Sequence, residues 1–228
     1  MLSTIALIPS APVMVPELAT SAAAELTELR AAVFAAAAEL PSRWVAIGVG
    51  PTDEVIGSHA VGTFGGYGAD VRVAMSPGSD RAPERLPLCA LITGWVRGQA
   101  CPNALAEVRA YSDEHDVDAA LVFGRALRAE LDETSDSVGV LVVADGANTL
   151  TPPAPGGYDP DSVAVQAALD DALGAGDAAA LIDLPTGIVG RVAYQVLAGL
   201  TEPRPAAARE LYRDAPYGVG YFVGVWQP

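Results

Sequence analysis

The chain has 228 residues, a hydrophobic fraction of 51% and a formal net charge of −15, and all 13 of its basic residues are arginines. This acidity argues against nucleic acid and anionic membranes as partners, because their phosphates require a basic patch. Without lysine there is no P-loop nucleotide site. No apolar run reaches the roughly 20 residues of a membrane-spanning helix, and the amino terminus does not resemble a signal peptide. We therefore expect a cytoplasmic protein in which Cys89 and Cys101 are reduced.

The hydrophobic pattern predicts alternating strands and helices along the whole chain. The predicted strands are residues 4–8, 44–49, 71–74, 119–123, 138–143 and 221–226. The predicted helices are residues 16–40, 88–96, 105–111, 125–131, 160–174 and 187–200, with loops at 50–69 and 148–159. This alternation predicts an α/β fold with a mostly parallel or mixed central sheet flanked by helices, and a single domain over residues 1–228.

Polar side chains follow three of the predicted strands. Asp145 ends the most apolar strand, Asp53 follows the strand at 44–49, and Arg125 follows the strand at 119–123. Open α/β sheets bind ligands at the carboxyl ends of their strands, so these side chains are candidates for one crevice. Asp145 is either a general base or metal ligand, or part of an Asp-Gly turn. Arg125, predicted at a helix amino terminus, requires an acidic neighbour or a bound anion unless it is an ordinary surface arginine.

Three further residues are candidates for the same pocket. Ser10 follows the first strand, His59 lies in a glycine-rich loop, and Asn148 follows the Asp-Gly pair. Asn148 could orient a substrate or bond only its own backbone. His115 lies in a charged stretch and is expected to be exposed. No nucleophile motif is present, so the sequence assigns no catalytic residue.

Four segments resemble the class III extradiol ring-cleavage dioxygenases. They are ALIPSAPVMVPEL, VGVLVVADGAN, APGGYDPDSVAVQAALDDALGAGD and APYGVGYFVGVW, and the resemblance extends over about residues 2–226. The sequence is most similar to an alanine-rich, actinobacterial (mycobacterial-type) branch of that superfamily. The resemblance implies a mixed α/β sheet with the site at the carboxyl ends of its strands.

The resemblance also implies where an iron site would lie. Active members bind Fe²⁺ through two histidines and a glutamate, and a further histidine acts as acid/base. By resemblance these positions correspond to Ser10, to Thr52 or Asp53, to a point near Gly190–Arg191, and to Arg125 for the acid/base. The mechanism needs three histidines, and the chain has two, neither at a matching position. We therefore expect the iron site to be degenerate.

Three hypotheses follow. The first is a small-molecule-binding or non-redox protein without a cofactor, whose ligand is small and anionic or aromatic. The second is a dioxygenase that holds Fe²⁺ with an unusual ligand set, such as His59, Asp53 and Asp145. The third is a homodimeric interaction protein whose interface uses the aromatic residues near the carboxyl terminus. Those aromatic residues are Tyr217, Tyr221, Phe222 and Trp226.

Overall fold

A seven-stranded sheet forms the centre of the protein in the computed structural model, which describes residues 1–19, 23–202 and 204–228. In chain order the strands are β1 (Leu2–Ile8), β2 (Arg43–Gly50), β3 (Glu54–Ile56), β4 (Val61–Thr63), β5 (Arg72–Ala74), β6 (Leu105–Ser112), β7 (Val138–Val143), β8 (Ala207–Asp214) and β9 (Tyr221–Gln227). The spatial order is β3-β6-β2-β7-β1-β9-β8, while β4 and β5 form a separate pair. The strands β6, β2, β7 and β1 are parallel, and β3, β9 and β8 are antiparallel to their neighbours. The predicted α/β class with a mixed, mostly parallel sheet is confirmed.

Helices cover both faces of this sheet. They are α1 (Pro16–Ala19), α2 (Thr27–Ala38), α3 (Leu88–Ala100), α4 (Val117–Glu133), α5 (Asp161–Ala175) and α6 (Arg191–Leu200). Because successive strand residues point to opposite faces, the sheet divides the core into two clusters. One cluster joins the sheet to α2 and α3, and the other joins it to α4, α5 and α6. No helix among the described residues has the length and apolar character needed to cross a membrane.

The four parallel strands end at the same edge. Ile8 of β1 is paired with Val143 of β7, and Val143 is also level with Gly48 of β2. The last residue of β2, Gly50, is level with Ser112 of β6. We call this the carboxyl edge, and it brings together the loops that follow β1, β2, β6 and β7.

Two predicted elements had the wrong type. Residues 105–111, predicted as a helix, form the strand β6, in which Ala106, Val108 and Ala110 are buried in alternation. Residues 119–123, predicted as a strand, lie within the helix α4, where Gly124 continues the helix instead of turning the chain. In both cases the period of the buried residues, two in β6 and three to four in α4, decides the structure over local residue preferences.

Other predicted boundaries change as well. The helix expected over residues 16–40 is not continuous, because α1 ends at Ala19 and α2 begins at Thr27, with 3-10 conformation at residues 23–24 and a turn at 25–26. Residues 20–22 of that prediction lie outside the described residues. The loop predicted at 50–69 contains β3 and β4, and the edge strand β8 was not predicted. The helix predicted from residue 187 begins at Arg191.

The aromatic residues of the last strand belong to the core. Tyr221, Phe222 and Trp226 are at most 3% exposed, and they alternate between the two faces of the sheet. The indole Nε1 of Trp226 donates a buried hydrogen bond to the carbonyl of Leu173, 2.8 Å away. The prediction that Tyr221, Phe222 and Trp226 form a surface interface is therefore wrong, because these side chains pack against the protein's own helices. Tyr217 is only half-buried, and its hydroxyl donates to the carboxylate of Glu25, so its part in an interface stays a prediction. The homodimer itself stays a prediction.

Replacing Trp226 with phenylalanine is expected to lower the free energy of unfolding by about 2–3 kcal/mol, because it leaves a cavity and removes a buried hydrogen bond. Urea unfolding measures this loss, and light scattering should give the same molecular mass as for the wild-type protein. Tyr158→Phe, at an exposed tyrosine, is the control and should change stability by less than about 0.5 kcal/mol. A changed molecular mass with an unchanged free energy of unfolding would instead indicate that Trp226 lies in an interface between copies of the chain.

Candidate functional site

Asp145 lies where β7 reaches the carboxyl edge. Its Oδ1 accepts a hydrogen bond from the backbone N–H of Ser10, 2.8 Å away, at the end of β1. Ser10 is the only described residue that donates to this carboxyl group. Burial raises the pKa of Asp145 to about 7, and the N–H of Ser10 only partly opposes that shift. The side chain keeps part of its exposure to solvent, so the carboxyl group can exchange a proton near neutral pH.

The backbone around Asp145 is fixed by hydrogen bonds on several sides. The carbonyl of Asp145 accepts from Gly190 N, 2.8 Å away, at the start of α6. Gly146 N donates to the carbonyl of Gly220, and Gly220 N donates to the carbonyl of Ala147, joining this turn to β9. A β-carbon at Gly190 would lie 2.5 Å from that of Ala144, so the close approach of α6 requires glycine. These contacts hold the Asp145 carboxyl in a defined position.

The side chain of Gln166, on α5, holds the turn at residues 145–147 in place. Its Oε1 accepts from Ala147 N and its Nε2 donates to Oδ1 of Asp170, both at 2.8 Å. Gly146 and Gly220 leave the space that this buried amide fills, since a β-carbon on either would lie about 2 Å from it. Burial raises the pKa of Asp170 to about 6. Gln166 and Asp170 were not predicted, and the helical period of α5 alone would not distinguish Gln166 from a solvent-facing residue.

Two tyrosines lie close enough to Asp145 for its carboxylate charge to affect the pKa of their hydroxyl groups. Tyr194 of α6 is buried and donates its hydroxyl hydrogen bond to the carbonyl of Ala144, 3.0 Å away. Tyr221 is the first residue of β9, and its side chain lies on the face of the sheet that is covered by α2 and α3. Burial, followed by the nearby Asp145 carboxyl, raises the pKa of both tyrosines well above 10. Both rings therefore stay neutral across the range in which Asp145 titrates.

Asp53 is also at the carboxyl edge, but its partners differ from those predicted. Its Oδ1 accepts from Ser112 N, 2.8 Å away, and from Nε2 of His115, 2.7 Å away. The hydrogen bond from Ser112, followed by the contacts with His115, lowers the pKa of Asp53. The His115 ring lies edge-on to Phe123, with ring centroids 4.9 Å apart. The expectation that His115 is simply solvated is wrong; recognising 105–112 as a strand would have placed it at this edge.

Arg191 links the two halves of the edge. It is the first residue of α6 and follows Gly190, which contacts Asp145. Its Nη2 donates to the carbonyls of Asp113 and His115, at 2.8 and 3.0 Å. The guanidinium therefore holds the loop after β6 in place. It does not lower the pKa of Asp145, for which only burial and the Ser10 N–H are responsible.

Arg125 does not belong to this site. It lies in the third turn of α4 and donates to both carboxylate oxygens of Glu202, at 2.7 and 2.8 Å. Glu202 follows the carboxyl end of α6, whereas the amino end of that helix reaches the carboxyl edge. The prediction of Arg125 at a helix amino terminus is wrong because α4 begins at Val117. The structure agrees with the alternative of a surface arginine that has an acidic neighbour.

His59 and Asn148 are also directed elsewhere. His59 is exposed between β3 and β4. Its neighbour Ser58 shares a surface depression with Arg43 and Leu105, the first residues of β2 and β6, so this loop lies at the opposite edge of the sheet. Asn148 closes its own loop: its carbonyl accepts from Gly156 N at 2.9 Å, and its side chain packs against that glycine. The six predicted site residues therefore do not form one pocket, although Ser10 and Asp145 are in contact.

The donor set does not fit a ferrous iron ion. Within residues 1–19, 23–202 and 204–228, no three His, Cys, Asp or Glu side chains lie close enough to share a metal ion. At three of the ligand positions that the resemblance implies, the hydroxyl of Ser10 is a poor iron ligand, Gly190 offers no side chain, and Arg191 carries a cation. The carboxyl edge holds one imidazole, that of His115, and no third described ligand joins it and Asp53, so the facial triad is not formed.

Two cavities border the carboxyl edge. One of about 810 Å³ lies between residues 49–51 at the end of β2, the beginning of α3 and the side chain of Tyr67. Another of about 280 Å³ lies between β3, β6 and α4, beside Asp53 and the stacked rings of Tyr111 and Phe123. Asp145 lines neither cavity. The larger one begins at the neighbouring strand, since β2 is paired with β7.

Comparison with known proteins identifies the fold alone. No family model matches the sequence, and no curated protein matches it significantly. A solved structure, the crystal structure of the uncharacterized protein JW3007 from Escherichia coli K12, is similar over 99% of this chain and 100% of that chain, with a TM-score of 0.57. The sequences are 11% identical. The whole chain therefore shares its architecture with that protein, and this likeness says nothing about activity.

Proposed function

We propose that the chain is a small-molecule-binding protein with the fold of the class III extradiol dioxygenases and without their iron site. The four segments that resemble this superfamily support the family assignment, including its actinobacterial branch. The net charge of −15 supports a soluble, cytoplasmic protein. The observation that carries the binding function is the Asp145 carboxyl, half-buried at the carboxyl edge with one protein hydrogen bond.

A half-buried carboxyl with an open oxygen is suited to bind a ligand. Oδ1 of Asp145 is occupied by Ser10 N, and no described side chain donates to Oδ2. Among the described residues, the buried side-chain atoms without a partner are Arg30 Nη1 and Thr151 Oγ1, so Oδ2 of Asp145 still reaches solvent. A ligand could donate a hydrogen bond to Oδ2 of Asp145 without any rearrangement of the backbone.

The chemistry available here is binding and proton exchange. Asp145, with a pKa of about 7, can hold or accept a proton at a ligand heteroatom near neutral pH. Asp53 and Arg191 contact the loop after β6, which carries His115, and fix its shape through the hydrogen bonds described above. A redox role for iron is disfavoured because Ser10, Gly190 and Arg191, at three of the positions implied by the resemblance, offer poor ligands or none. The alternative ligand set of His59, Asp53 and Asp145 does not converge.

Metal analysis tests the iron-free part of the proposal. Protein expressed and purified under anaerobic conditions with ferrous iron supplied is expected to contain less than about 0.1 iron per chain. The positive control for the metal analysis is a known iron protein with two histidine ligands and one carboxylate ligand, prepared in parallel. Iron at one atom per chain, together with oxygen uptake on adding catechols, would refute this part of the proposal.

A ligand screen tests the binding part. A library containing neutral, cationic and anionic small molecules is screened by ligand-observed NMR against the wild-type protein, Asp145→Asn and Asp132→Asn. Asp132 is an exposed carboxylate on α4 paired with Arg128, so Asp132→Asn makes the same chemical change away from the edge. We expect the screen to find ligands that bind both the wild-type protein and Asp132→Asn. The affinity of these ligands for Asp145→Asn should be at least tenfold lower. A library without such ligands would refute binding at this edge.

A further inference from the structure

Asp145 is a partly buried carboxyl group at the carboxyl edge. Arginines neutralise carboxylates at several surface positions, including Arg125 with Glu202 and Arg109 with Glu130. Asp145 forms no ion pair with any described residue. A buried carboxylate without a counter-charge is unfavourable, and proteins normally pair such a group or leave it protonated.

The surroundings of Asp145 provide no cation of their own among the described residues. On β1 the nearest group is the N–H of Ser10, on α6 it is the ring of Tyr194, and on β9 it is the ring of Tyr221. Arg191, the nearest arginine along α6, is bonded to backbone carbonyls of the loop after β6. Each of these neighbours is thus neutral, aromatic or a hydrogen-bond donor.

We infer that the molecule bound at the carboxyl edge carries an organic ammonium group, which forms an ion pair with the open oxygen of Asp145. This inference rests on the proposed function and adds the charge of the ligand to it. An ammonium supplies both the missing counter-charge and a donor for Oδ2, in a single hydrogen-bonded contact. The overall charge of −15 favours the approach of cations over anions. An anionic ligand would instead face the Asp145 carboxylate, since the guanidinium of Arg125 is bonded to Glu202.

Three probes of the same size and different charge test the inference on the wild-type protein. Benzylamine, benzyl alcohol and benzoate share one aromatic ring, and their dissociation constants are measured at pH 8 by calorimetry, with the perturbed backbone amides mapped by NMR. Benzylamine is expected to bind at least tenfold more tightly than benzyl alcohol and to perturb the amides of residues 144–147. Benzoate is expected to show no binding. This comparison within one protein does not depend on the stability of a variant.

Variants and alternative outcomes complete the test. Asp145→Asn should abolish the preference for benzylamine over benzyl alcohol, whereas Asp132→Asn should keep it. Benzyl alcohol or benzoate binding as tightly as benzylamine, and weakened by Asp145→Asn, would overturn the ammonium inference and leave the proposed function standing. Absence of binding by all three probes would also overturn the inference. The proposed function fails as well only if the wider library gives no ligand dependent on Asp145.

Discussion

Replacing Gly124 with alanine is expected to lower the free energy of unfolding by about 3 kcal/mol, the upper part of the range for overpacked cores. A β-carbon at this position would lie 2.1 Å from the carbonyl oxygen of Val196 and 2.7 Å from the amide nitrogen of Leu200. Both atoms belong to the backbone of α6, so no side-chain rotation relieves the overlap. The contact is reciprocal, because a β-carbon at Gly199 would lie 2.4 Å from the carbonyl oxygen of Leu121. The two helices can accommodate alanine only by separating.

Gly98→Ala is the matched control for this substitution. Gly98 is an exposed residue of the helix α3, and a β-carbon there would meet no atom within 4 Å. Alanine costs less backbone entropy than glycine in a helix, so this variant should be as stable as the wild-type protein or more stable by up to about 1 kcal/mol. Both variants are compared by urea unfolding. Wild-type stability in Gly124→Ala would show that α4 and α6 do not cross at these glycines.

Gly124 also explains why residues 119–123 were wrongly predicted as a strand. Five apolar residues followed by glycine are typical of a strand that ends in a turn, and this pattern placed Arg125 at a helix amino terminus. In the structure Ala120, Leu121, Gly124 and Leu127 share the buried face of α4. Glycine is required there because another helix lies against it, and a tertiary contact of this kind has no local signal in the sequence.

The predictions that held depend on strong local patterns. The strands around 4–8, 44–49, 138–143 and 221–226 are short apolar runs bounded by turn residues, and each is a strand of the central sheet. Asp145 was predicted at the carboxyl edge because it ends the most apolar of them. Its contact with Ser10, 135 residues away, follows once β1 and β7 are neighbours. The alternation of strands and helices in the sequence does not predict that neighbourhood.

Residues that act through long-range contacts were missed. His115 reaches Asp53 because β2 and β6 are adjacent and end level with each other. Gln166 reaches Ala147 because α5 packs beneath the turn after β7. Neither residue has a distinctive neighbour in sequence. Their roles depend on strand order, which the alternation of strands and helices leaves open.

Asparagine at position 145 is expected to remove a pH-dependent loss of stability. Burial raises the pKa of Asp145 from 3.8 to about 7 in the folded protein, so between these values the folded state binds more protons than the unfolded state. The free energy of unfolding therefore falls as the pH rises from about 4 to about 7, and this loss is complete above pH 7. Asparagine does not ionise, and its amide oxygen can still accept the hydrogen bond from Ser10.

The stability difference between Asp145→Asn and the wild-type protein isolates this group from the other titrating residues. We expect the two proteins to be equally stable near pH 4 and the variant to be more stable by roughly 2–4 kcal/mol at pH 8, since each pKa unit corresponds to 1.36 kcal/mol. The comparison variant is Asp170→Asn. Burial raises the pKa of Asp170 to about 6, so its stability difference should level off near pH 6 instead of pH 7. An Asp145→Asn variant less stable than the wild-type protein at pH 8 would mean that the carboxylate already has a counter-charge within the protein. In that case the site would have no need of a cation from the ligand.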